Sequence, residues 1–384
     1  MNNSSTFKAL MIISGLRGIT STVIRVFLPV YAFTIGMSMA DIGFATTIAI
    51  AVSVLILPVM GYLTDVVGRK TTLLLSIILM ALSAILLYIC PTSMGVTIAY
   101  VLFYTSFFSW QPARGAMVVD ITSGTSIASA FAYLSLAFWI PRTITPYIAG
   151  TIIVHYGYSI VFLGSAIILI LITIPIIILI KEARSPISEN KSFKVIIEGM
   201  IPKRHELPLH VILSLDRIGW TLWLPIINPF MKSEYGLNED DIGLLNTVMN
   251  IVTVIALIPS GKMVDKKGWK LGLILSEMAG ILGLLVIIFT STIYPLIIAM
   301  SLFGISIGLW LPSYNASIPS IIRNREELGR AYSRANIYRA ILSTPSPWIG
   351  GVMYAILPLL PLISGSIILT INTLIITSYK LKVP

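Results

Sequence analysis

Six arginines lie inside long apolar stretches of the chain, where charge is costly. They are Arg17, Arg25, Arg114, Arg142, Arg217 and Arg339. Two acids, Asp216 and Glu277, lie in comparable surroundings. A guanidinium fork binds a carboxylate or phosphate with two parallel hydrogen bonds, and a dry environment strengthens the attraction. The excess of buried arginine over buried acid therefore favours an organic anion as the ligand.

The stretches that carry these arginines are predicted to be membrane-spanning helices. Of the 384 residues, 56% are hydrophobic and 11% are charged, whereas soluble domains carry about 25% charged residues. A bilayer core needs about 20 apolar residues per helix. The twelve candidate segments are continuously apolar rather than alternating, which predicts an all-α membrane protein and not a β-barrel. The segments are 8–35, 40–64, 70–89, 94–118, 126–154, 159–181, 208–232, 240–263, 269–290, 294–318, 329–356 and 359–380.

The basic residues predict how the chain is oriented. The net charge is +10, and with a cytoplasmic N-terminus nineteen of the 26 Lys and Arg residues fall on the cytoplasmic side, against Lys232 on the other. This distribution follows the positive-inside rule. We therefore expect a multi-pass protein of the cell membrane with both termini in the cytoplasm. Because the bases form no stripe interleaved with aromatics, no nucleic-acid partner is expected.

A repeat with an offset of 200 residues divides the chain into two homologous halves. The matches include Arg17 with Arg217, DIG at 41–43 with 241–243, WQP at 110–112 with WLP at 310–312, and, with one extra residue, PYIAG at 146–150 with PWIGG at 347–351. The offset holds across five segments, so it predicts two six-helix bundles, 1–181 and 208–384. Residues 182–207 form the cytoplasmic linker, either a plain tether or a short interfacial helix. Parallel repeats of this kind are typical of transporters.

The most informative part of the repeat is a charged turn between the second and third segments of each half. GYLTDVVGRK at 61–70 matches GKMVDKKGWK at 261–270. The first copy resembles the motif G-x-L-A-D-R-x-G-R-K/R of the major facilitator superfamily, and the resemblance covers essentially the whole chain. Val66 stands where the family has a base, and Trp269 stands in the arginine position of the second copy. The matching residues are Gly61, Asp65, Gly68, Arg69 and Lys70, then Gly261, Asp265, Gly268 and Lys270.

The resemblance implies a secondary active transporter that works by alternating access, with this motif acting in its gate. Asp65 is then expected to contact the start of the eleventh segment, and Asp265 the start of the fifth, where a helix N-terminus favours an anion. Such a latch forms in one access state and breaks in the other. The alternative is a topological staple, in which Arg69 and Lys70 bind the anionic inner leaflet.

Several other residues are assigned to the gate. Gly61 is expected to let two helices approach closely, and Gly68 to allow a tight turn. The resemblance also places Arg114, two turns from Asp120 at the end of the fourth segment, in the charge network of the cytoplasmic gate. Its repeat counterpart is Tyr314.

The resemblance further implies that segments 1, 4, 7 and 10 line a central cavity, with segments 5, 8 and 11 beside them. Arg17 and Arg217 are then expected to face one cavity as a pair, with Arg339 at a similar depth. The alternative is that these arginines are structural and pack against helix ends, carbonyls or Asp216. The other predicted solute-binding residues are Trp110, Gln111, Trp220, Asn246, Asn250, Tyr314 and Tyr338.

Asp216 and Glu277 are candidates for carrying a coupling proton, because burial favours a protonated carboxyl. Two alternatives stay open: Asp216 is neutralised by Arg217 or Arg17, and Glu277 has a helix-packing role. The expected partners are a small-molecule solute, the bilayer and protons, with no cofactor or metal, and a monomer is expected.

Other classes of function fit the sequence less well. An enzyme is disfavoured because no nucleophile–base set, metal-ligand spacing or phosphate-binding glycine loop is visible. An ion channel is disfavoured because no ring of selectivity-filter residues is visible in the sequence. A transporter-like sensor or scaffold is a third alternative. The organic anion is the first candidate for the solute, and proton-coupled efflux of drug-like molecules is the alternative.

Overall fold

The structure of the protein is a computed structural model that describes residues 3–121, 127–180, 203–290, 292–322 and 328–379. Nearly all of this described part is helical, without a strand. It divides into two compact units, the first comprising Met1–Glu189 with Gly236–Leu244 and the second Asn190–Tyr235 with Leu245–Pro384. The bundle boundaries expected from the sequence, and the two alternatives of a tether or an interfacial helix within 182–207, stay predictions, because residues 181–202 lie outside the described part.

Fourteen helices correspond to the twelve predicted segments in the described residues. Those in the first half are α1 (Asn3–Thr34), α2 (Met39–Val66), α3 (Arg69–Ile89), α4 (Ser93–Ile121), α5 (Ile127–Tyr156) and α6 (Tyr158–Leu179). Those in the second half are α7 (Leu207–Thr221), α8 (Ile227–Tyr235), α9 (Glu239–Lys267), α10 (Trp269–Ile288), α11 (Ile293–Ser317), α12 (Leu328–Ser343), α13 (Ser346–Ile356) and α14 (Leu360–Ser378). The all-helical class is therefore confirmed.

Two predicted segments are broken, and prolines explain both breaks. The segment expected at 208–232 is divided into α7, a 3₁₀ turn at Leu224–Ile226 and α8. Pro225 lies in that turn, and a proline ring clashes with the carbonyl four residues earlier, which here belongs to Thr221, the last residue of α7. The repeat counterpart of Pro225 is Arg25, and α1 runs through that position unbroken.

The eleventh predicted segment is broken in the same way. It is divided into α12 and α13, with Pro345 between them. The matched position in the first half is occupied by Ile144, and α5 continues through it. Each break therefore comes from a proline that only the second half has.

Eight of the described helices are long and apolar enough to cross a membrane, by length and composition: α1, α2, α3, α6, α9, α10, α11 and α14. Inside the first unit α1 packs on α5 and α6, and α3 packs on α4. Inside the second unit α7 packs on α12 and α14, and α10 packs on α11.

A pair of buried hydrogen bonds confirms the repeat at atomic level. The hydroxyl of Ser106 donates to the carbonyl of Ser76 at 2.6 Å, joining α4 to α3. Two hundred residues later, the hydroxyl of Ser306 donates to the carbonyl of Ser276 at 2.8 Å, joining α11 to α10. Buried hydroxyls need a partner, and Ser106 and Ser306 find theirs in the same way. The other two serines differ, since the hydroxyl of Ser76 donates to the carbonyl of Leu73 and that of Ser276 to the carbonyl of Ser306.

Candidate functional site

In the first unit, the guanidinium of Arg17 on α1 is held by α4. Arg17 is 1% exposed, and its Nη2 donates to the carbonyl of Ser106 at 3.3 Å. Its Cζ lies 4.6 Å from the ring centroid of Trp110, which is 2% exposed. The buried Nε of Arg17 has no hydrogen-bond partner, and among the described residues no carboxylate lies within salt-bridge distance of it. This charge is therefore ordered but not neutralised by the described protein.

Two other predicted residues lie on α4 near Arg17. Gln111 is exposed, and its Oε1 accepts a hydrogen bond of 3.4 Å from Nη2 of Arg114. Arg114 lies within electrostatic range of Arg17, so it adds to the positive charge in this part of the unit. A role for Arg114 in gating stays a prediction.

In the second unit, Asp216 on α7 contacts residues of α11 and α12. Its Oδ2 accepts a hydrogen bond of 3.1 Å from the indole Nε1 of Trp310 and lies 3.9 Å from Nη2 of Arg339. The Cζ of Arg339 lies 4.4 Å from the ring centroid of Trp310 and 5.1 Å from that of Tyr314. Oδ1 of Asp216 is buried without a hydrogen-bond partner in the described residues. Arg339 is therefore paired with an acid inside its own unit, although the pairing is loose.

The two tryptophans in these sites are repeat counterparts. Trp110 and Trp310 are 200 residues apart, and each has an arginine guanidinium over its ring. The guanidinium comes from α1 in the first half and from α12 in the second. Stacking on an indole ring orients a guanidinium group and stabilises it by about 0.5–2 kcal/mol. The halves therefore share the aromatic platform but differ in charge, since among the described residues Arg339 has a carboxylate partner and Arg17 has none.

Arg217 has a partner of its own, different from the one its sequence neighbour suggests. Its Nε donates to the hydroxyl of Ser343 on α12 at 3.0 Å. The acid next to it in sequence, Asp216, contacts Arg339 instead. The sequence left open whether Arg217 or Arg17 neutralises Asp216, and the tertiary contact identifies Arg339. A joint site of Arg17 and Arg217 stays a prediction.

The remaining predicted solute-binding residues are buried or half-buried in the second unit. Asn246 donates to Oδ1 of Asn228 at 3.0 Å, and both side chains are buried, as is Asn250. Trp220 packs against Trp223 with centroids 5.0 Å apart. The hydroxyl of Tyr314 donates to Asn336 at 2.8 Å, and the Tyr338 ring lies 5.6 Å from that of His210.

Glu277 on α10 lies inside the second unit. It is 1% exposed, and its Oε1 accepts a hydrogen bond of 2.7 Å from Nδ2 of Asn372 on α14. Its other oxygen is buried without a partner in the described residues. The helix-packing alternative fits this contact, and a proton-carrying role stays a prediction.

At the first motif copy, Arg69 is directed into the protein rather than toward lipid headgroups. It is 9% exposed, forms a salt bridge with Asp120 at the end of α4, and donates to the carbonyl of Ala116 at 3.0 Å. The expected leaflet contact of Arg69 is therefore replaced by an internal one. In the second copy the counterparts are Trp269 and Ser320, so the second half lacks both charges of this pair.

The motif lysines cap helices in both halves. Nζ of Lys70 donates to the carbonyl of Ile177 near the end of α6 at 2.7 Å. Nζ of Lys270 donates to the carbonyl of Tyr379, just after α14, and lies 4.8 Å from its ring centroid. The last carbonyls of a helix lack intrahelical donors and favour a cation, so these lysines hold the last helix of each half.

The glycines of the motif divide into two kinds. Gly68 and Gly268 have positive φ angles of 127° and 85°, as expected for the tight turn between helices. A Cβ on Gly61 or Gly261 would meet no atom within 4 Å, so the close helix approach expected at Gly61 is absent from the described structure. Close helix contacts occur at other glycines instead.

Gly18 on α1 makes such a close contact. A Cβ built there would lie 2.5 Å from the carbonyl oxygen of Phe138 on α5. The latch itself stays a prediction, because the side chain of Asp65 lies outside the described residues. Asp265 is exposed at the end of α9.

A buried charged cluster at the start of α7 was missed by the sequence reasoning. Glu206 and Arg334 are 1% and 3% exposed, and Arg334 donates from Nε and Nη2 to the two carboxylate oxygens at 2.8 and 2.5 Å. The Nε2 of His210, one turn later on α7, lies 3.4 Å from Oε2 of Glu206. Glu206 falls within the predicted linker 182–207, and its i, i+4 spacing to His210 was the signal available in the sequence.

The contacts of Glu206 set its protonation. Burial alone would raise the pKa of this carboxyl, but the hydrogen bonds and charge of Arg334, with a smaller contribution from His210, outweigh burial and hold the pKa below its usual value. Glu206 is therefore ionised at neutral pH, and the cluster is a buried ion pair that joins α7 to α12.

The chain is similar to known transporters over most of its length. A family profile described as "Major Facilitator Superfamily" matches residues 10–214 and again 209–382. Multidrug resistance protein 2 of Bacillus subtilis (strain 168) is 24% identical over 327 residues, which are 80% of this chain and 78% of that protein. Multidrug resistance protein MdtG of Escherichia fergusonii is 24% identical over 351 residues, covering 88% and 85%.

Solved structures show the same fold. A bacterial homologue of the human lysosomal transporter Spinster has a TM-score of 0.78 at 14% identity and covers 97% of this chain and 96% of its own. The nucleoside transporter NupG also has a TM-score of 0.78, at 13% identity, and covers 99% and 100%.

Proposed function

We propose, on the premise that the chain belongs to the major facilitator superfamily, that it carries a small organic solute with an anionic group across the cell membrane by alternating access. The membership confirms the family predicted from the two motif copies, and the protein is a multi-pass membrane transporter. The solute, its coupling to protons, the cytoplasmic location of both termini and the monomeric state are parts of the proposal.

The observation that carries the proposal is the state of Arg17. An intramembrane guanidinium costs several kcal/mol unless it is paired or faces water. Arg17 is 1% exposed, is ordered by Ser106 and Trp110, and has no carboxylate within salt-bridge distance among the described residues. A carboxylate, sulfonate or phosphate on the solute would supply the missing negative charge.

The contrast with the second unit supports this assignment. There Arg339 already has Asp216 as a partner at 3.9 Å. A solute anion would have to compete with that carboxylate, whereas it meets no such competitor at Arg17. We therefore assign anion recognition to Arg17 and Trp110, and to Arg339 the neutralisation of Asp216.

The proposal is tested with purified protein and two probes that share a ring system but differ in charge. Naphthalene-2-sulfonate is the anion, and (2-naphthyl)trimethylammonium is the cation. The anion should bind the wild type and bind Arg17→Ala about 10- to 100-fold more weakly, the effect of removing a charge-assisted hydrogen bond. Lys262→Ala removes the same charge from an exposed position of α9 and should bind the anion as the wild type does. Anion affinity that is equal in Arg17→Ala and the wild type would rule out this assignment.

Efflux of drug-like cations is a second candidate function. Two relatives carry multidrug resistance in their names, and Asp216 has a buried oxygen without a partner in the described residues. Trp220, Trp223 and Phe303 also form an aromatic cluster, with Trp223 and Phe303 centroids 4.8 Å apart. Carboxylates and aromatic faces both attract organic cations.

Asp216 is also the residue that we propose to carry a coupling proton. In proteoliposomes, addition of a transported solute should move protons through the wild type and not through Asp216→Asn, which cannot ionise. If the same variant loses binding of the cationic probe, the drug-like candidate gains support. Solute-driven proton movement that persists in Asp216→Asn would assign the coupling proton to another group.

A further inference from the structure

Two arginines in membrane-spanning helices of the first unit, Arg25 and Arg142, have no role in the function proposed so far. Arg25 lies on α1 eight residues after Arg17, so both are on the same helix about 12 Å apart along its axis. The ring of Phe107 on α4 lies near both guanidinium groups. Its centroid is 5.7 Å from Cζ of Arg17 and 5.0 Å from Cζ of Arg25, so these two guanidinium carbons are less than about 11 Å apart.

Arg142 extends this row from α5. Its Cζ lies 4.5 Å from the ring of Trp139 and 5.8 Å from that of Phe138, and it lies within electrostatic range of Arg25. Arg25 in turn lies within electrostatic range of Arg17. The first unit therefore holds a row of three arginines on two helices, α1 and α5, with an aromatic ring beside each guanidinium.

Two members of the row, Arg17 and Arg25, bring positive charge together without a nearby acid in the described part of the chain. Among the described residues no carboxylate lies within salt-bridge distance of Arg17 or Arg25. Like charges in a medium of low dielectric constant repel strongly, so bringing these arginines together destabilises the unit unless an anion joins them. Aromatic faces orient the guanidinium groups but supply no net negative charge.

The three arginines differ in exposure. Arg25 is exposed and Arg142 is half-buried, in contrast to Arg17. A structural arginine at the position of Arg25 would be expected to snorkel toward the membrane surface. The structure instead has its guanidinium against Phe107, whose ring also contacts Arg17, which keeps the charge beside the proposed solute-binding residue.

We propose that Arg25, Arg142 and the ring of Phe107 form a second anion subsite next to Arg17, and that the solute is a planar organic molecule with an acidic group at each end. One acidic group binds Arg17 over Trp110, and the other binds Arg25 and Arg142. The aromatic ring of Phe107 lies between the two positions and packs against the flat body of the solute. This inference rests on the proposed recognition of an anion by Arg17.

The test compares one acidic group with two on the same ring system, using purified full-length protein. The probes are naphthalene-2-sulfonate and naphthalene-2,6-disulfonate. In the wild type the disulfonate should bind roughly 10-fold or more tightly than the monosulfonate, the gain of a second charge-assisted contact. Arg25→Gln should remove that gain and weaken the monosulfonate less than the disulfonate, because the monosulfonate binds Arg17 directly and loses only the longer-range attraction of Arg25. Arg25→Lys keeps the positive charge but loses the two parallel donors of the guanidinium group. It should therefore keep part of the higher affinity for the disulfonate.

The outcomes separate this inference from the proposed function. If both probes lose affinity in Arg17→Ala but the disulfonate has no advantage that depends on Arg25, the second subsite is wrong and anion recognition by Arg17 stands. If neither probe depends on Arg17, both proposals are wrong. If Arg25→Gln does not fold, Phe107→Leu decides, because it leaves every charge in place and should weaken the disulfonate more than the monosulfonate. Equal effects on the two probes in that variant would overturn the subsite.

Discussion

The buried ion pair of Glu206 and Arg334 allows a quantitative prediction about stability. Replacing Arg334 by Met removes the donor to both carboxylate oxygens and leaves Glu206, 1% exposed, with the His210 ring nitrogen at 3.4 Å and the Lys203 amide. Removing one partner of a buried pair costs about 3–5 kcal/mol, because the other charge stays buried without compensation. We therefore expect the free energy of unfolding of Arg334→Met to be lower than that of the wild type by this amount.

Replacing both partners together should cost much less. Removing both charges and filling the space with apolar side chains of similar volume is often neutral or stabilising by about 1–4 kcal/mol. The double variant Glu206→Leu with Arg334→Met should therefore unfold at a higher temperature than Arg334→Met alone. The hydrogen bond from His210 is lost in the double variant, which limits the recovery.

The pH dependence provides a second measure of the same pair. The pKa of Glu206 is lowered in the folded protein, so its stabilising effect is fully present above the unfolded value of about 4.3 and is lost as the pH falls through the folded value. The gap in stability between the wild type and Arg334→Met should therefore be large at neutral pH and narrow below about pH 4.

The measurement is thermal unfolding in detergent across this pH range. Membrane proteins often unfold irreversibly, so unfolding rates at one temperature are compared as well as midpoints. Glu206→Gln serves as the matched control, because it keeps the shape of the side chain and loses only the charge. A gap that does not change with pH, or a double variant no more stable than Arg334→Met, would show that the pair does not stabilise the protein in this way.

Two further predictions concern the first unit. Gly18→Ala should destabilise the protein by about 1–3 kcal/mol, because the new Cβ would meet the carbonyl of Phe138 at 2.5 Å. Gly61→Ala is the control and should leave the thermal midpoint unchanged. Equal midpoints for the two variants would contradict the contact at Gly18. Asp120→Ser should cost about 1–3 kcal/mol of stability, because it leaves the buried Arg69 without its acid. Adding Arg69→Trp copies the second half and should recover part of the lost stability in the same unfolding assay. A double variant less stable than Asp120→Ser would show that the pairs at the two repeat positions are not equivalent.

Much of the fold could be predicted from the sequence because its causes are local. The bounds of α2, predicted from hydrophobic length alone at 40–64, are Met39–Val66 in the structure. The repeat offset also placed Ser76 and Ser276 on equivalent helices, where each accepts the same buried hydrogen bond. The two helix breaks in the second half were not predicted, because the effect of a proline depends on its neighbours. Pro29 lies inside the continuous helix α1, whereas Pro225 lies in the turn after the end of α7.

The sequence by itself determined which residues carry charge into the membrane segments, since composition and the 200-residue repeat are both visible in one dimension. Only the tertiary structure decided which of those charges are paired. Asp216 adjoins Arg217 in sequence, but successive side chains of a helix point about 100° apart, and its salt bridge is to Arg339, more than a hundred residues away. Arg17 has no acid within reach among the described residues, and that difference depends on which helices pack together.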